Sequence, residues 1–345
     1  MPRSAGPSGR FAPSFTTCPS ESGKEGDAQG SVLDVVKWSS LTVPVASVGL
    51  SINADDRPIQ APTSEAAYFD AALRLSAIAL LLRPMGSWLV RPAILAIAVL
   101  VLIFPRLLRS SLVWGALAGL TAIRIAEDWP LADNHIYLLG YWLLAIALSL
   151  RTSDAWATLA VSSRWLVGLA FAFAVLWKLV LSPDFVDGRF FRVTLLTDPR
   201  FGAVSQLIGG LSREELDANR QALVLLPDGA ELLNAPVVHE PARLRMLATA
   251  STFGILGLEA AVALFMLAPA AWTWVRWRHA VLLLFCAITY AFAPVAGFGW
   301  LLLVMGLAQV APRQIWLGRA YIAAFVVVIF YDELPWADLM LDWLR

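Results

Sequence analysis

From Ala66 to the end, long apolar runs alternate with short charged joints, and no water-soluble fold accommodates that pattern. Runs of about 18 apolar residues cannot be hidden in one globular core and read as membrane spans. Composition agrees: 59% of residues are hydrophobic and 15% charged, where a soluble domain carries about a quarter of its residues as charges. The fifteen tryptophans fit the same reading, because indole rings favour the membrane–water boundary. The expected fold is an all-α, polytopic transmembrane helical bundle. Its candidate spans are about 67–90, 92–105, 110–127, 135–151, 164–182, 246–269, 279–293, 296–311 and 318–334. Pro84 and Pro92 leave 67–105 open between one kinked unit and two spans, so the expectation is eight or nine spans.

Residues 1–65, rich in Pro, Ser, Gly and Thr, read as a disordered N-terminal tail; the alternative is a translation start near residue 60. Residues 66–345 form the membrane domain, interrupted by a polar insert at 183–245. Ser212 and Glu215 in that insert fit a helix-opening capping box. Its Leu223, Leu225, Leu226, Leu232 and Leu233 suggest packing on the membrane domain, since about 60 residues make a poor independent core.

Orientation follows from the joints. Arg106 and Arg109, Arg151 and Arg164, Arg276 and Arg278, and Arg313 and Arg319 fall at alternate ends of successive runs, which places these joints and the N-terminus in the cytoplasm. The joint with Glu127, Asp128 and Asp133 then faces outward, as do the insert and the acidic end holding Asp332, Glu333, Asp338 and Asp342. Arg83 and Arg91 fall outside against the rule. The formal net charge of zero argues against nucleic-acid binding. Cys18 and Cys286 suggest no disulfide framework, and with His135, His239 and His279 scattered, no protein-bound metal site is expected.

Ionisable groups inside spans are costly and therefore candidates for function. Asp70 and Arg74 have the spacing of an intrahelical ion pair. Arg124, near the outer end of its run, can snorkel or meet Glu127 or Asp128. Glu259 has no basic neighbour in sequence, so it takes a partner from another helix or a proton. Lys178 is the one lysine after Lys37. A desolvated lysine can act as a base where arginine cannot, although a boundary anchor is an equal reading. Asn134 and His135 open a run at the same outward side, followed by Tyr137, Tyr141 and Trp142.

Two segments carry a resemblance. Asn134-His135-Ile136-Tyr137-Leu138, and Lys178-Leu179 followed by Asp184-Phe185-Val186-Asp187-Gly188, together resemble the membrane domain of the vitamin K-dependent γ-glutamyl carboxylases and their bacterial relatives, the horizontally transferred transmembrane (HTTM) family. The similarity spans about residues 67–333. It implies an integral protein of a bacterial plasma membrane that uses a reduced quinone, with Lys178 in the place of the base for vitamin K oxygenation. Asn134 and His135 would stand where the family keeps quinone-contacting and catalytic residues, and Tyr137, Arg124 and Glu259 are the expected supports. The family's later His-rich segment reads Phe285-Cys286-Ala287-Ile288-Thr289-Tyr290 here, without histidine. The sequence also ends soon after its last apolar run, so carboxylation of a protein glutamate is not expected. The alternative is a non-enzymatic membrane scaffold or assembly factor that binds a partner through 183–245. A transporter is third, because internal repeats are not evident.

Overall fold

The computed structural model describes residues 64–82, 86–129, 133–224, 237–292, 295–333, 339 and 343. The tail at 1–63 lies outside these, as do Arg83, the four insert leucines from Leu225 to Leu233, Asp338 and Asp342. Among the described residues the chain is helical throughout, without strands.

Each apolar run corresponds to a helix: α1 (Ser64–Leu82), α2 (Arg91–Ile103), α4 (Ser111–Glu127), α5 (Asn134–Ser149), α6 (Ala155–Val180), α11 (Ala242–Leu267), α12 (Arg278–Phe292), α13 (Ala296–Leu307) and α14 (Ile315–Glu333). A short α3 (Pro105–Leu108) follows α2, and α7 (Pro183–Val186), α8 (Arg189–Thr197), α9 (Gly202–Leu207) and α10 (Arg213–Ala222) build the insert. The 67–105 region is therefore two packed helices and not one kinked unit.

Length separates these helices. Ala155–Val180, Ala242–Leu267 and Thr273–Phe292 (α12 with its preceding 3₁₀ turn) are long and apolar enough to cross a membrane. The 26 residues of α6 reach about 39 Å, past the ~30 Å hydrocarbon core. By contrast, the 12 residues of α13 reach only about 18 Å. Buried from Trp300 through Val310, α13 is apolar on every side because it is the central post of the bundle.

Side-chain contacts sort the helix ends into two sets. At one end Arg109 grips Asp70 through Nε and Nη2 at 3.1 and 2.9 Å, and Tyr68 donates to the Ile315 carbonyl. Ser111 donates to the Ala147 carbonyl, and Arg164 donates to the carbonyls of Met266 and Ala268. We call this the arginine end. At the opposite, acidic end Ser87 donates to Glu127 at 3.0 Å, Tyr331 donates to the Ala291 carbonyl, and the His135 and Phe298 rings meet at 4.4 Å.

Two expectations are corrected here. Asp70 pairs with Arg109 and not with Arg74, whose side chain is exposed. Although i,i+4 spacing permits the local pair, the turn at α3 delivers a guanidinium able to make two hydrogen bonds to one carboxylate oxygen. Arg164 is not in a joint. Helix α6 starts earlier, where the Asp154 side chain accepts from Ala157 N at 2.9 Å, so Arg164 lies inside it. From there its guanidinium caps the last carbonyls of α11, groups without an intrahelical partner.

The insert has a second small core of Phe185, Phe191, Leu195, Leu196, Phe201, Leu211 and Leu216, completed by Leu244 and Ala248 of α11, with Leu223 packed against it. The insert core is therefore shared with the long helix. The capping box forms as expected: Glu215 N donates to Ser212 Oγ at 3.1 Å and Ser212 N to Glu215 Oε2 at 2.8 Å. Fully buried Asn219 holds the returning chain by exchanging two hydrogen bonds with the His239 backbone, at 2.8 and 2.7 Å.

Candidate functional site

At the acidic end, α5, α6, α11 and α13 leave a cleft between them, and the first three present polar residues to it. Helix α5 starts at Asn134 because the Asp133 carboxylate accepts from His135 N at 3.0 Å. That cap puts Asn134, His135 and Tyr137 in the first turn, with the His135 Nδ1 2.9 Å from Asp133 Oδ1. Lys178 is in the last turn of α6. Helix α11 runs antiparallel to α6 and brings Glu259 level with it, so both carboxylate oxygens contact Lys178 Nζ.

The cleft has a volume of about 750 Å³. Asn134, His135, Tyr137, Lys178 and Glu259 supply its polar wall. Leu166, Leu169, Phe171, Phe173 and Trp177 supply much of the apolar one. Tyr141, Phe173 and Trp177 are exposed, so the mouth opens on the outer flank of the helices. A smaller pocket of about 120 Å³ lies on the other side of His135, against Ser76, Asp133 and Trp142. His135 thus belongs to the walls of both.

The Lys178–Glu259 pair is deep: the side chains are 21% and 9% exposed. Phe185 covers the ammonium with its ring, whose centre is 5.1 Å from Nζ. Phe185 reaches that position through the turn that ends at Gly188, where φ is +79°, a conformation glycine adopts without steric cost. Asp184 and Asp187 point away from the cleft to Arg189, at 2.8 and 3.0 Å. The turn therefore connects the insert core directly to the lysine.

Of the residues expected at the site, Lys178, His135, Asn134, Tyr137 and Glu259 all line this one cleft. Arg124 is not among its lining residues. Its guanidinium contacts Asp128 and lies 3.7 Å from Glu127, the acidic partners that the sequence offers it as the alternative to snorkelling. Sequence reading missed Asp133, Phe185 and Phe298 as parts of the site. Asp133 could have been found, because an acidic residue directly before an apolar-periodic run is an N-cap signal. Phe298 carries no such signal, since it reaches His135 from a helix more than 150 positions later in the chain.

A cleft of this volume, with polar side chains gathered beside Lys178 and apolar ones along the rest, has the size and lining of a small-molecule site. Among the described residues there is no cluster of three or more metal-ligating side chains. The chain matches no protein-family model, no curated protein and no solved structure.

Proposed function

We propose that this chain is an integral membrane enzyme of the carboxylase-like HTTM type, acting on a reduced quinone or a similar weakly acidic, membrane-dissolved amphiphile. The observation that carries this reading is the shared cleft, with Lys178, Glu259, His135 and Asn134 at one end and an exposed apolar mouth at the other. A ligand dissolved in the bilayer enters such a mouth sideways and brings its hydroxyl to the charged pair. The pair takes up the hydroxyl proton, and His135 and Asn134 hold the oxygen that loses it. Dioxygen is the co-reactant that the family resemblance implies.

In this reading the bundle crosses the membrane eight or nine times, with the arginine end and the N-terminus in the cytoplasm. The three long apolar helices and the sorting of Arg109, Arg164 and Arg278 to one end support it. Short helices such as α2 and α13 do not reach across alone, so the bilayer thins there or they stay enclosed by their neighbours.

The test is consumption of duroquinol by the full chain reconstituted in liposomes under air, compared with Lys178→Met. Quinol-dependent oxygen uptake above empty liposomes, lost in the variant, is the expected result. Equal uptake in both removes the cleft from the reaction. The scaffold alternative draws on one observation: Val186, Phe190 and Val193 form an exposed apolar row along α7 and α8. Charged replacements along that row with unchanged quinol consumption would leave room for a partner there.

A further inference from the structure

The family resemblance gives Lys178 the part of base, but the contact it makes suggests another division of labour. Both oxygens of Glu259 touch Nζ, an arrangement in which an ammonium donates two of its three N–H groups to a carboxylate. The third N–H is left for the cleft that both residues line. A lysine in that state has no lone pair to offer. If instead the amine were neutral beside a carboxylate, the largely buried pair would carry one net negative charge. Such a lone buried charge is what a low-dielectric interior penalises most. As an ion pair the site is neutral.

We propose that Glu259 is the group that finally holds the ligand's proton, while Lys178 remains an ammonium and binds the oxygen that the proton leaves. The inference rests on the reading of the cleft as a site for a weakly acidic amphiphile and assigns roles within it. The O–H bond of the ligand breaks and its electron pair stays on oxygen. The proton ends on a Glu259 oxygen, directly or by passage over Nζ, which takes one proton as it gives another. Before the step, ligand and pair are each neutral. Afterwards the oxyanion faces the ammonium and Glu259 is a neutral acid, so no net charge is created in the cleft. Phe185, with its ring 5.1 Å from Nζ, helps keep the cation in place throughout.

Arginine keeps the cation but cannot shed a proton, and glutamine keeps the shape of Glu259 but cannot take one. In duroquinol consumption by the full chain, Lys178→Arg is expected to lose roughly tenfold and Glu259→Gln roughly a hundredfold or more. Glu259→Asp should recover part of that loss. A second measurement needs no turnover: binding of an octyl-chain 4-nitrophenol, read by its phenolate absorbance. Wild type and Lys178→Arg should hold the probe as phenolate, and Lys178→Met as phenol. This readout, taken on monodisperse protein, keeps a folding failure of Glu259→Gln from deciding the matter. The proposal is overturned if Lys178→Arg falls as far as Lys178→Met while Glu259→Gln stays active. It is also overturned if the probe ionises equally in wild type and Lys178→Met. If wild type neither binds the probe nor consumes quinol, the reading of the cleft fails and this assignment fails with it. An active wild type with reversed variant order sinks the assignment alone.

Discussion

Helix α6 carries two basic residues toward α11, about four turns apart, and they meet different groups. Arg164, at the arginine end, finds backbone carbonyls: its Nε is 2.6 Å from the Met266 oxygen. Lys178, at the acidic end, finds a carboxylate and a cleft. Both solve the problem of a cation on an apolar helix. The arginine spends its donors on helix-end carbonyls that would otherwise lack partners, a structural use. The lysine is matched to a side chain that can itself change protonation, and both face an open volume. One position closes the bundle, and the other leaves a polar site inside it.

That contrast can be broken by substitution. The largest stability effect expected is from Glu259→Leu, about 3–5 kcal/mol, because it strands the buried ammonium. Thermal unfolding in detergent measures it, and a loss below about 1 kcal/mol would mean that the pair is wetter than its burial implies. Arg164→Ala should cost about 2–3 kcal/mol through the unpaired carbonyls of α11, while the surviving folded protein still consumes quinol. The double variant Lys178→Met/Glu259→Leu should stay within about 1–2 kcal/mol of wild type, since replacing a whole buried pair by apolar side chains is often neutral. A double-mutant cycle separates that outcome from two independent losses.

The smallest effect concerns the insert and pH. Asp198 is held below its usual carboxylate range, first by its hydrogen bonds from Arg200 and further by Arg220, against the opposing effect of burial. A depressed carboxylate contributes stability that is complete above its unfolded pKa of about 3.9 and is lost as pH falls through the lower folded value. Hydrogen exchange at 198–207, corrected for its intrinsic pH dependence, should therefore stay level from neutral pH down to about 4 and rise below it. Asp198→Asn should flatten that rise.

How much of this was legible beforehand depends on the range of each interaction. The helices were readable because apolar runs and caps such as Ser212 with Glu215 are local signals. Sequence places Arg164 in a joint because Asp154, the residue that starts α6, lies in a stretch too polar to read as span. For Asp70 only the local partner Arg74 is visible in sequence, and the true one comes from the turn after α2. Glu259 was known to need a partner or a proton. Which one it took is decided by antiparallel packing of α6 on α11, across 81 positions of chain. The run around α13 is apolar because the helix is enclosed, and periodicity alone does not separate an enclosed helix from a lipid-facing one.

The central claim is that the Lys178–Glu259 cleft does chemistry on a membrane-dissolved acid. The most direct measurement is duroquinol consumption by the Lys178→Met/Glu259→Leu variant, which should unfold at nearly the wild-type temperature. The account predicts a stable protein with uptake at the level of empty liposomes. A stable double variant that consumes quinol at the wild-type rate would contradict it.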